Sequence, residues 1–445
     1  MRKEIFNEEN KKARRKFQRI SVRVFYGMIL GIGFIGLLIP LRPKTSESEK
    51  RDLTKFPTPT VETVMSGEFF SDISTWYADT FPFREALSTA NSKFRQLYGR
   101  TTEELHGGPV EADAIPDADA EITATPTPEP EAEPTATPAA EGDGTVHAEP
   151  EKAGTIYIAD NRGFELYGFS IDGANDYINM INNAASQLKD KATVYDILVP
   201  TSIAVNLDEE MQEAVGSSNQ GDAFDYIYGH LDSSIVQVPV LDVLRQHNGE
   251  YLYFKTDHHW TADGAYYAYQ ELMNKKGVTP SPLTDYTKNE YPGFVGTFYS
   301  FSEKSDTLLN NPDTVVTYTP KATNDMTYTD VNGQTNSWYI VMDPTDYSQG
   351  SKYSCFIGGD QPYCVIDNPE INDNSSCVVI KESYGNAFVP FLVNSYDKVH
   401  VIDYRYYTGN LIDFVEQNNI QDVIYLNNAN AIIQSAVKNM NRLLQ

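Results

Sequence analysis

The sequence predicts an α/β domain built on a parallel sheet with a β-rich insertion, preceded by one transmembrane helix. Three observations support this fold class. In the second half of the chain, strand-like apolar runs alternate with helix-like segments. Residues 281–350, rich in tyrosine, threonine and asparagine, interrupt that alternation. Residues 24–41 form an uncharged apolar run close to the length that crosses a bilayer.

The N-terminal segment carries signals of membrane orientation. Residues 1–23 contain nine basic and three acidic side chains, which by the positive-inside rule form a cytoplasmic tail. A cleaved signal peptide is the alternative, but the apolar run ends in PLRP (40–43) without a small-x-small cleavage site. The sequence therefore predicts a single-pass cell-membrane protein whose main domain is extracytoplasmic.

Two segments connect this anchor to the main domain. Residues 42–107 contain a membrane-proximal helical pattern that Pro82 divides in two. Residues 108–152 are rich in alanine, proline, threonine and glutamate, with twelve acidic residues and no lysine or arginine between Glu111 and Glu151. Such a stretch cannot bury enough apolar surface to fold, so we expect a disordered acidic spacer.

Composition narrows the function classes. Lysine and arginine total 35 against 62 aspartates and glutamates, a net charge of -27, which argues against nucleic acid as a partner. Three cysteines exclude a disulfide-built scaffold and match no zinc spacing. Cys355 and Cys364 lie symmetrically about Gly359-Asp360, which leaves both a cross-strand disulfide and two buried free thiols open.

The main domain is predicted to span residues 153–445. Its expected helices lie around residues 177–188, 262–274 and 410–418, with another beginning near 386. Its expected strands are ATVYDILVP (192–200), EYLYFKT (250–256), SCVVIK (376–381), KVHVID (398–403) and DVIYL (422–426). The last three strands form a βαβαβ unit, so their C-terminal ends share the edge where open α/β sheets bind ligands.

Two motifs lie at predicted strand ends. In YFKTDHHWTADG, Asp257 and His259 precede a helix capped by Thr261. In extended backbone, side chains two apart point the same way, so Asp257 can orient His259 as a base while His258 points elsewhere. In VVIKESYGNAF, Ser383 follows a buried strand and precedes a helix, near N–H groups suited to an oxyanion. Together they predict a catalytic triad.

These residues also have other interpretations. A serine in a strand-to-helix turn is commonly an N-cap, which is a purely structural role for Ser383. Asp257, His258 and His259 are also metal-ligand types, but adjacent histidines diverge in extended backbone and no further ligand cluster is evident. We therefore expect neither a metal nor another cofactor.

The segment FKTDHHWTADGAYYAY resembles the defining motif of the DHHW protein family, and the similarity extends to KESYGNAFVPFL, VIDYRYY, IQDVIYL and the membrane-proximal WYADTFPFRE. That family is similar to alginate O-acetyltransferases, whose SGNH-hydrolase-like domain uses an Asp-x-His pair and a later serine. The resemblance implies a flavodoxin-like three-layer fold with Asp257, His259 and Ser383 as catalytic residues. Lys381-Glu382-Ser383 departs from the glycine-containing block of ordinary SGNH hydrolases.

The resemblance implies an acyl transferase, with acetyl expected, acting on a cell-surface polysaccharide. Ser383 would carry the acyl group, and backbone N–H groups of residues 383–385 with Asn386 would hold the oxyanion. Because acetyl donors are cytoplasmic, a multi-spanning membrane acyltransferase is the expected partner. Two alternatives remain: an acetyl esterase with the same triad, and a non-catalytic glycan-binding or assembly protein of the cell envelope.

Substrate contacts are expected at the same sheet edge. Arg405 follows the next strand and is a candidate for binding acidic or hydroxylated sugar, together with Tyr404, Tyr406 and Tyr407. The predicted substrate-binding residues are Arg405, Tyr384, Asn386 and Trp260. Trp260 has a structural role as its alternative.

Overall fold

The computed structural model describes residues 144–445 continuously. Shorter described stretches precede them: 45–46, 51–52, 55–59, 69, 73, 76, 80 and 112–116. The predicted transmembrane helix (24–41) and the break at Pro82 lie outside these residues. None of the helices within them is long and apolar enough to cross a membrane. The chain divides into two compact units, Met1–Glu103 and Glu104–Gln445.

The first unit is described only in part. Strand β1 (Thr45–Ser46) pairs antiparallel with β2 (Arg51–Asp52). The Phe56 and Trp76 rings meet edge to face with centroids 4.8 Å apart. The Thr80 N–H donates to the Trp76 carbonyl at 3.0 Å.

The described part of the second unit contains three sheets and the helices that pack on them. Its strands are β3 (Glu151–Ala153), β4 (Ile156–Ala159), β5 (Arg162–Phe164), β6 (Thr193–Val199), β7 (Val236–Gln237), β8 (Tyr286–Phe294), β9 (Asp313–Pro320), β10 (Asp325–Thr329), β11 (Thr335–Tyr339), β12 (Tyr363–Asp367), β13 (Ser376–Lys381), β14 (Lys398–Asp403) and β15 (Asp422–Asn428). Strands β3–β5 form one small antiparallel sheet, and β8 and β9 form another.

Four helices of this unit, α1, α6, α9 and α10, lie at the positions that the sequence predicted. The helices are α1 (Ile171–Leu188), α2 (Ser202–Asn206), α3 (Glu209–Ala214), α4 (Gln220–Gly229), α5 (Leu241–Gln246), α6 (Ala262–Lys276), α7 (Thr297–Phe301), α8 (Asp306–Leu309), α9 (Gly385–Leu392), α10 (Leu411–Asn418) and α11 (Gln434–Arg442). Short 3-10 helices occur at Leu283–Asp285, Lys352–Cys355, Val393–Ser395 and Ala429–Ala431.

The large sheet has eight strands in the order β11-β10-β12-β14-β13-β15-β6-β7. Neighbours from β14 to β7 are parallel, whereas β12, β10 and β11 are antiparallel additions at one edge. The predicted parallel sheet is therefore mixed, because β12 pairs antiparallel with β14 and the expected β-rich insertion adds β10 and β11 beyond it. Every residue of β13 and β15 is buried, which requires cover on both faces.

Helix α6 shows how the sequence positions the loop that precedes it. The Thr261 hydroxyl accepts the Gly264 N–H, which caps the first turn as expected. The helix ends at Gly277, whose left-handed φ of 72° suits a residue without a side chain. Because the cap fixes the start of α6, it also fixes the direction of the residues just before it.

One predicted strand is wrong. Residues 250–256 form no strand; Tyr253 makes only an isolated antiparallel bridge with Trp260. The Asp313 carboxylate accepts the N–H groups of Lys255 and Thr256 at 2.9 and 2.8 Å, so a side chain satisfies backbone donors that a neighbouring strand would otherwise bind.

The described ends of the predicted spacer contact the rest of the second unit. The Asp113 N–H donates to the Phe169 carbonyl at 3.0 Å, and the Asp113 carboxylate accepts the Ile171 N–H at 3.0 Å. Val146 is buried and its N–H donates to the Asn206 carbonyl at 2.7 Å. The described ends of this segment are thus bonded to the domain, whereas its middle, residues 117–143, lies outside the described part.

The three cysteines are free and buried. Cys355 ends a 3-10 helix, whereas Cys364 lies in β12 opposite Val401 of β14. The two thiols do not face each other across a hairpin, so the free-thiol alternative holds for this pair.

Candidate active site

Asp257 lies in a short loop between the irregular segment 250–256 and helix α6. Its Oδ1 accepts the backbone N–H of His259 at 3.1 Å and lies 2.5 Å from His259 Nδ1. Its Oδ2 accepts the N–H and the hydroxyl of Thr297 at 2.8 and 3.1 Å. Burial opposes ionisation, but His258, His259 and these hydrogen bonds outweigh it and hold the Asp257 pKa well below its ordinary value. The site therefore contains a buried carboxylate.

Gly296 allows Thr297 to approach this carboxylate. A Cβ atom at Gly296 would overlap the Asp257 side chain. Only glycine leaves the space in which the Thr297 N–H reaches Asp257 Oδ2.

The His259 imidazole links the two motifs. Its Nδ1 faces the Asp257 carboxylate, an acceptor, so Nδ1 carries the proton and Nε2 is free to accept. Nε2 lies 2.8 Å from the Ser383 hydroxyl oxygen. The structure thus brings Asp257, His259 and Ser383 into one hydrogen-bonded chain at the C-terminal end of β13, as the sequence predicted. Such a chain can move the serine proton to the imidazole.

Ser383 is half-buried at the turn between β13 and α9. The N-cap position of α9 is Tyr384, and no side chain caps that helix. The Ser383 hydroxyl instead faces His259 and Glu382. The N-cap interpretation of Ser383 therefore does not describe its hydrogen bonding.

Tyr353 packs on the other side of the imidazole. Its ring stacks on His259 with centroids 3.9 Å apart and planes 13° apart. Its hydroxyl donates to the Ser383 backbone carbonyl at 2.9 Å. The sequence analysis did not identify this residue, because its 3-10 helix is distant from both motifs along the chain.

The sequence predicted that His258 points away from the site, and the structure differs. Its ring centroid lies 3.8 Å from that of His259, because the loop bends where the Asp257 carboxylate captures the His259 N–H. His258 Nδ1 lies 2.7 Å from the Thr297 hydroxyl rather than near Ser383. Burial, then neighbouring His259, lowers the His258 pKa. A neutral His258 packs beside the hydrogen-bonded chain of Asp257, His259 and Ser383, which is called the relay below.

The metal-site alternative requires a different arrangement. The ligand atoms of Asp257, His258 and His259 lie within 4.8 Å of one another. However, Asp257 Oδ1 and His259 Nδ1 are 2.5 Å apart. Ligand atoms that share a tetrahedral metal at about 2.0–2.1 Å lie about 3.3 Å apart. The short contact fits a shared proton better than a shared ion.

A buried charge network lies under the serine. Lys381 has no exposed side-chain surface, and its ammonium lies 3.0 Å from Asp403, 3.4 Å from Asp360 and 2.7 Å from the Asn386 amide oxygen. Arg405 bonds Asp403 through two nitrogens at 2.9 and 2.6 Å and Asp360 at 2.9 Å. Burial alone would raise the pKa of Asp360, but the positive charges of Lys381 and Arg405 outweigh burial and lower it. Both cations have acidic partners here.

This network bears on the predicted substrate-binding residues. Arg405 is bonded to two carboxylates, so its charge is already balanced. The Asn386 amide nitrogen donates to Asp360 at 3.0 Å, and Asn386 is buried. Both side chains therefore have structural partners where substrate contacts were expected.

The predicted aromatic contacts are also mostly internal. Trp260 has no exposed surface and its indole N–H donates to the Tyr384 carbonyl at 2.9 Å, which supports its structural alternative. Tyr384 is fully buried and its hydroxyl donates to the His258 carbonyl. Tyr404 is buried and Tyr407 half-buried, whereas Tyr406 is 45% exposed. Of these aromatic side chains, Tyr406 has the accessible face that stacking on a sugar requires.

Apart from that of Ser383, the backbone N–H groups expected to hold an oxyanion already have partners. The Gly385 N–H donates to the Glu382 carbonyl at 3.0 Å and the Asn386 N–H to the Ser383 carbonyl at 3.1 Å. The Tyr384 N–H donates to the Glu382 carboxylate at 3.0 Å. Glu382 was noticed in the sequence only as a departure from the glycine-containing block.

Comparisons with known proteins agree with this fold. The family described as DHHW protein matches residues 49–125 and 130–402. A DHHW family protein from Eubacterium siraeum is 29% identical, with a TM-score of 0.61 over 67% of this chain and 99% of that chain. PatB1 from Bacillus cereus, solved with a sulfonyl adduct, is 21% identical, with a TM-score of 0.55 over 65% and 98%.

A weaker likeness is to the O-acetyltransferase domain of Pseudomonas putida AlgJ. It is 11% identical with a TM-score of 0.33 over 67% of this chain and 98% of that chain, a level that does not establish a common fold. No curated protein matches the chain.

Proposed function

The chain belongs to the DHHW protein family, and we propose that it is an acyl transferase, with acetyl as the acyl group, that modifies a cell-surface polysaccharide. Ser383 is the proposed nucleophile, His259 the base and Asp257 the residue that orients it. The observation that carries this proposal is the hydrogen-bonded chain of 2.5 Å from Asp257 to His259 and 2.8 Å from His259 to Ser383.

The proposed acylation step uses each member of the relay. His259 Nε2 takes the Ser383 proton as the oxygen attacks the acyl carbonyl, and Asp257 stabilises the resulting imidazolium. When the tetrahedral intermediate collapses, the bond from the acyl carbon to the donor oxygen breaks. The imidazolium returns its proton to that leaving oxygen, so the donor departs as an alcohol and Ser383 keeps the acyl group.

The second step restores the free enzyme. A sugar hydroxyl gives its proton to His259 and attacks the acyl carbon, the bond to Ser383 breaks, and the serine recovers a proton from the imidazolium. If water replaced the sugar, the same residues would act as an esterase. The half-buried Ser383 and the buried relay behind it support an acceptor that excludes water.

The membrane arrangement is part of the same proposal. Residues 24–41 anchor the chain with residues 1–23 in the cytoplasm, and the main domain lies outside. An acyl donor made in the cytoplasm then requires a multi-spanning acyltransferase as partner. No metal or other cofactor enters the steps above.

The decisive experiment incubates the full-length protein with an activated acetyl ester, with and without cell-surface glycan. Released acetate and acetylated sugar are measured separately. We expect ester consumption to depend on Ser383 and acetylated sugar to accumulate when glycan is present. Ser383→Ala should remove both signals, whereas Ser435→Ala, an exposed serine of α11, should retain them.

The outcomes separate the alternatives. Acetate release without sugar acetylation, at any glycan concentration, would indicate an esterase. Glycan binding without Ser383-dependent ester cleavage would indicate a non-catalytic envelope protein. Either result would replace the transferase proposal.

A further inference from the structure

Glu382 contributes a carboxylate directly beside the proposed nucleophile. Its Oε2 lies 3.2 Å from the Ser383 hydroxyl oxygen and accepts the Tyr384 N–H at 3.0 Å. Its Oε1 accepts the Asn428 N–H at 3.1 Å. Glu382 is only 5% exposed, so solvent does not compete for these contacts.

The position of Oε2 is the place where an acyl oxygen would be bound. After attack by Ser383, the oxyanion belongs to the carbon bonded to the serine oxygen, so it lies within about 3 Å of that oxygen. A useful donor then lies about 2.7–3.1 Å from it. Oε2 lies close to that position, 3.2 Å from the Ser383 oxygen and 3.0 Å from the Tyr384 nitrogen.

Apart from the Ser383 N–H, the other donors in this turn are directed elsewhere. The Gly385 and Asn386 N–H groups bond backbone carbonyls, and the Asn386 amide bonds Asp360. The Tyr384 N–H is the one of these that faces the space beside the serine hydroxyl. While Glu382 holds it, a substrate oxygen lacks that donor.

We propose that Glu382 closes the oxyanion site of the free enzyme, and that binding of the acyl group displaces its carboxylate and releases the Tyr384 N–H for the oxyanion. This inference rests on the proposed function, because it needs Ser383 to be acylated. The Asn428 N–H, which binds the other carboxylate oxygen, holds Glu382 in the closed position. Glu382 is thus a positioning residue that controls when the site accepts an acyl oxygen.

A covalent adduct tests this directly. Phenylmethanesulfonyl fluoride reacts with an activated serine: the bond from Oγ to sulfur forms, the sulfur–fluorine bond breaks, fluoride leaves and His259 takes the proton. Mass spectrometry identifies the adduct and a structure of the labelled full-length protein locates Glu382. We expect a sulfonyl oxygen about 3 Å from the Tyr384 nitrogen and the Glu382 carboxylate moved away from both.

The possible failures are distinguishable. An adduct on Ser383 with Glu382 still bound to the Tyr384 N–H would overturn this inference and leave the proposed function intact. Absence of any adduct on Ser383 would contradict the proposed nucleophile, and the inference would fall with it.

Two variants test the same point by rate. Glu382→Ala opens the site, whereas Glu382→Gln keeps an oxygen that can accept the Tyr384 N–H. If the closed state predominates about tenfold, Glu382→Ala should react with the sulfonyl fluoride roughly tenfold faster than wild type. Glu382→Gln should stay closer to wild type.

The matched control is Glu416→Ala, an exposed acid of α10, which should react like wild type. Circular dichroism identifies any variant that fails to fold. A folded Glu382→Ala protein that labels no faster than wild type would show that Glu382 does not close the site.

Discussion

Tyr353 and His259 stack almost parallel, with ring centroids 3.9 Å apart and planes 13° apart. The same tyrosine donates its hydroxyl to the Ser383 carbonyl at 2.9 Å. One side chain therefore restrains both the plane of the imidazole and the backbone of the serine.

Substitution of Tyr353 should separate these two roles. Tyr353→Leu removes the ring that fixes the imidazole, and we expect kcat/KM for an acetyl ester to fall up to about 100-fold, as misplacement of a catalytic group does. Tyr353→Phe keeps the stack and loses one hydrogen bond, so its loss should stay within about tenfold. Steady-state kinetics measure both. Equal losses would show that the hydroxyl, not the stack, is what matters.

The two adjacent histidines should behave differently. His259→Ala should remove turnover about as fully as Ser383→Ala, and the double variant should be no worse, because relay members act as a unit. His258→Ala should lose less, since its Nδ1 bonds Thr297 rather than Ser383.

Acetyl ester turnover in the presence of a chelator completes that comparison. We expect wild-type activity to persist. Loss of activity with chelator, together with a requirement for both histidines, would instead indicate a metal bound by Asp257, His258 and His259.

Gly296→Ala should impair the site through packing. The new Cβ would overlap the Asp257 carboxylate and push Thr297 away from it. We expect a loss of about 1–3 kcal/mol in the free energy of unfolding, as for other overpacked sites, together with reduced turnover. Gly221→Ala in α4, where the nearest atoms to a Cβ are at 3.1 and 3.5 Å, is the control. Denaturant unfolding and ester kinetics check both; similar effects in the two variants would contradict this explanation.

Asp196 should make stability fall as pH rises. It is fully buried, and burial raises its pKa to about 7 in the folded state. In the unfolded chain the same group ionises near its ordinary pKa of about 3.9. Between about pH 4 and 7 the unfolded state therefore loses a proton that the folded state keeps, which lowers the free energy of unfolding.

Asp196→Asn removes this titration. Across that pH range, the unfolding free energy of the variant should decline less than that of wild type. Thermal unfolding at several pH values measures the difference. Parallel pH profiles for the two proteins would exclude Asp196 as the cause.

The proposed membrane arrangement predicts a cleavage site. Protease added to intact cells should cut within residues 108–152, since we expect the main domain and this segment to lie outside the membrane. Immunoblotting of the fragments measures it. Cleavage only after lysis would reverse the orientation.

The relay was predictable because its signals are local. Asp257 and His259 are two residues apart, and Ser383 lies where an apolar strand run changes to a helical pattern. Parallel strands bring their C-terminal ends to one edge, so the two motifs could be expected to meet.

The rest of the site depends on packing that sequence patterns do not encode. Tyr353 lies in the 3-10 helix Lys352–Cys355 and Thr297 lies in α7 within the insertion. The sequence around neither residue indicates a contact with Asp257, His259 or Ser383. The apolar alternation in EYLYFKT indicates a strand, but the Asp313 carboxylate that replaces a neighbouring strand comes from β9. The predicted direction of His258 was wrong for a similar reason: it depends on the bend at Asp257, which the local sequence pattern does not indicate.

The order of strands in the large sheet has a consequence for how this protein folds during its synthesis. The early strand β6 is hydrogen-bonded to the final strand β15, with Thr193 opposite Asp422, and β15 in turn lies beside β13, which leads to Ser383. A ribosome that has made only the first half of the domain has produced β6 and its short neighbour β7, but not β13 or β15. The parallel core can close only after β15 has been synthesised, which makes this a slow-folding topology. A chain truncated before Asp422 would lack the strand that joins β6 to β13.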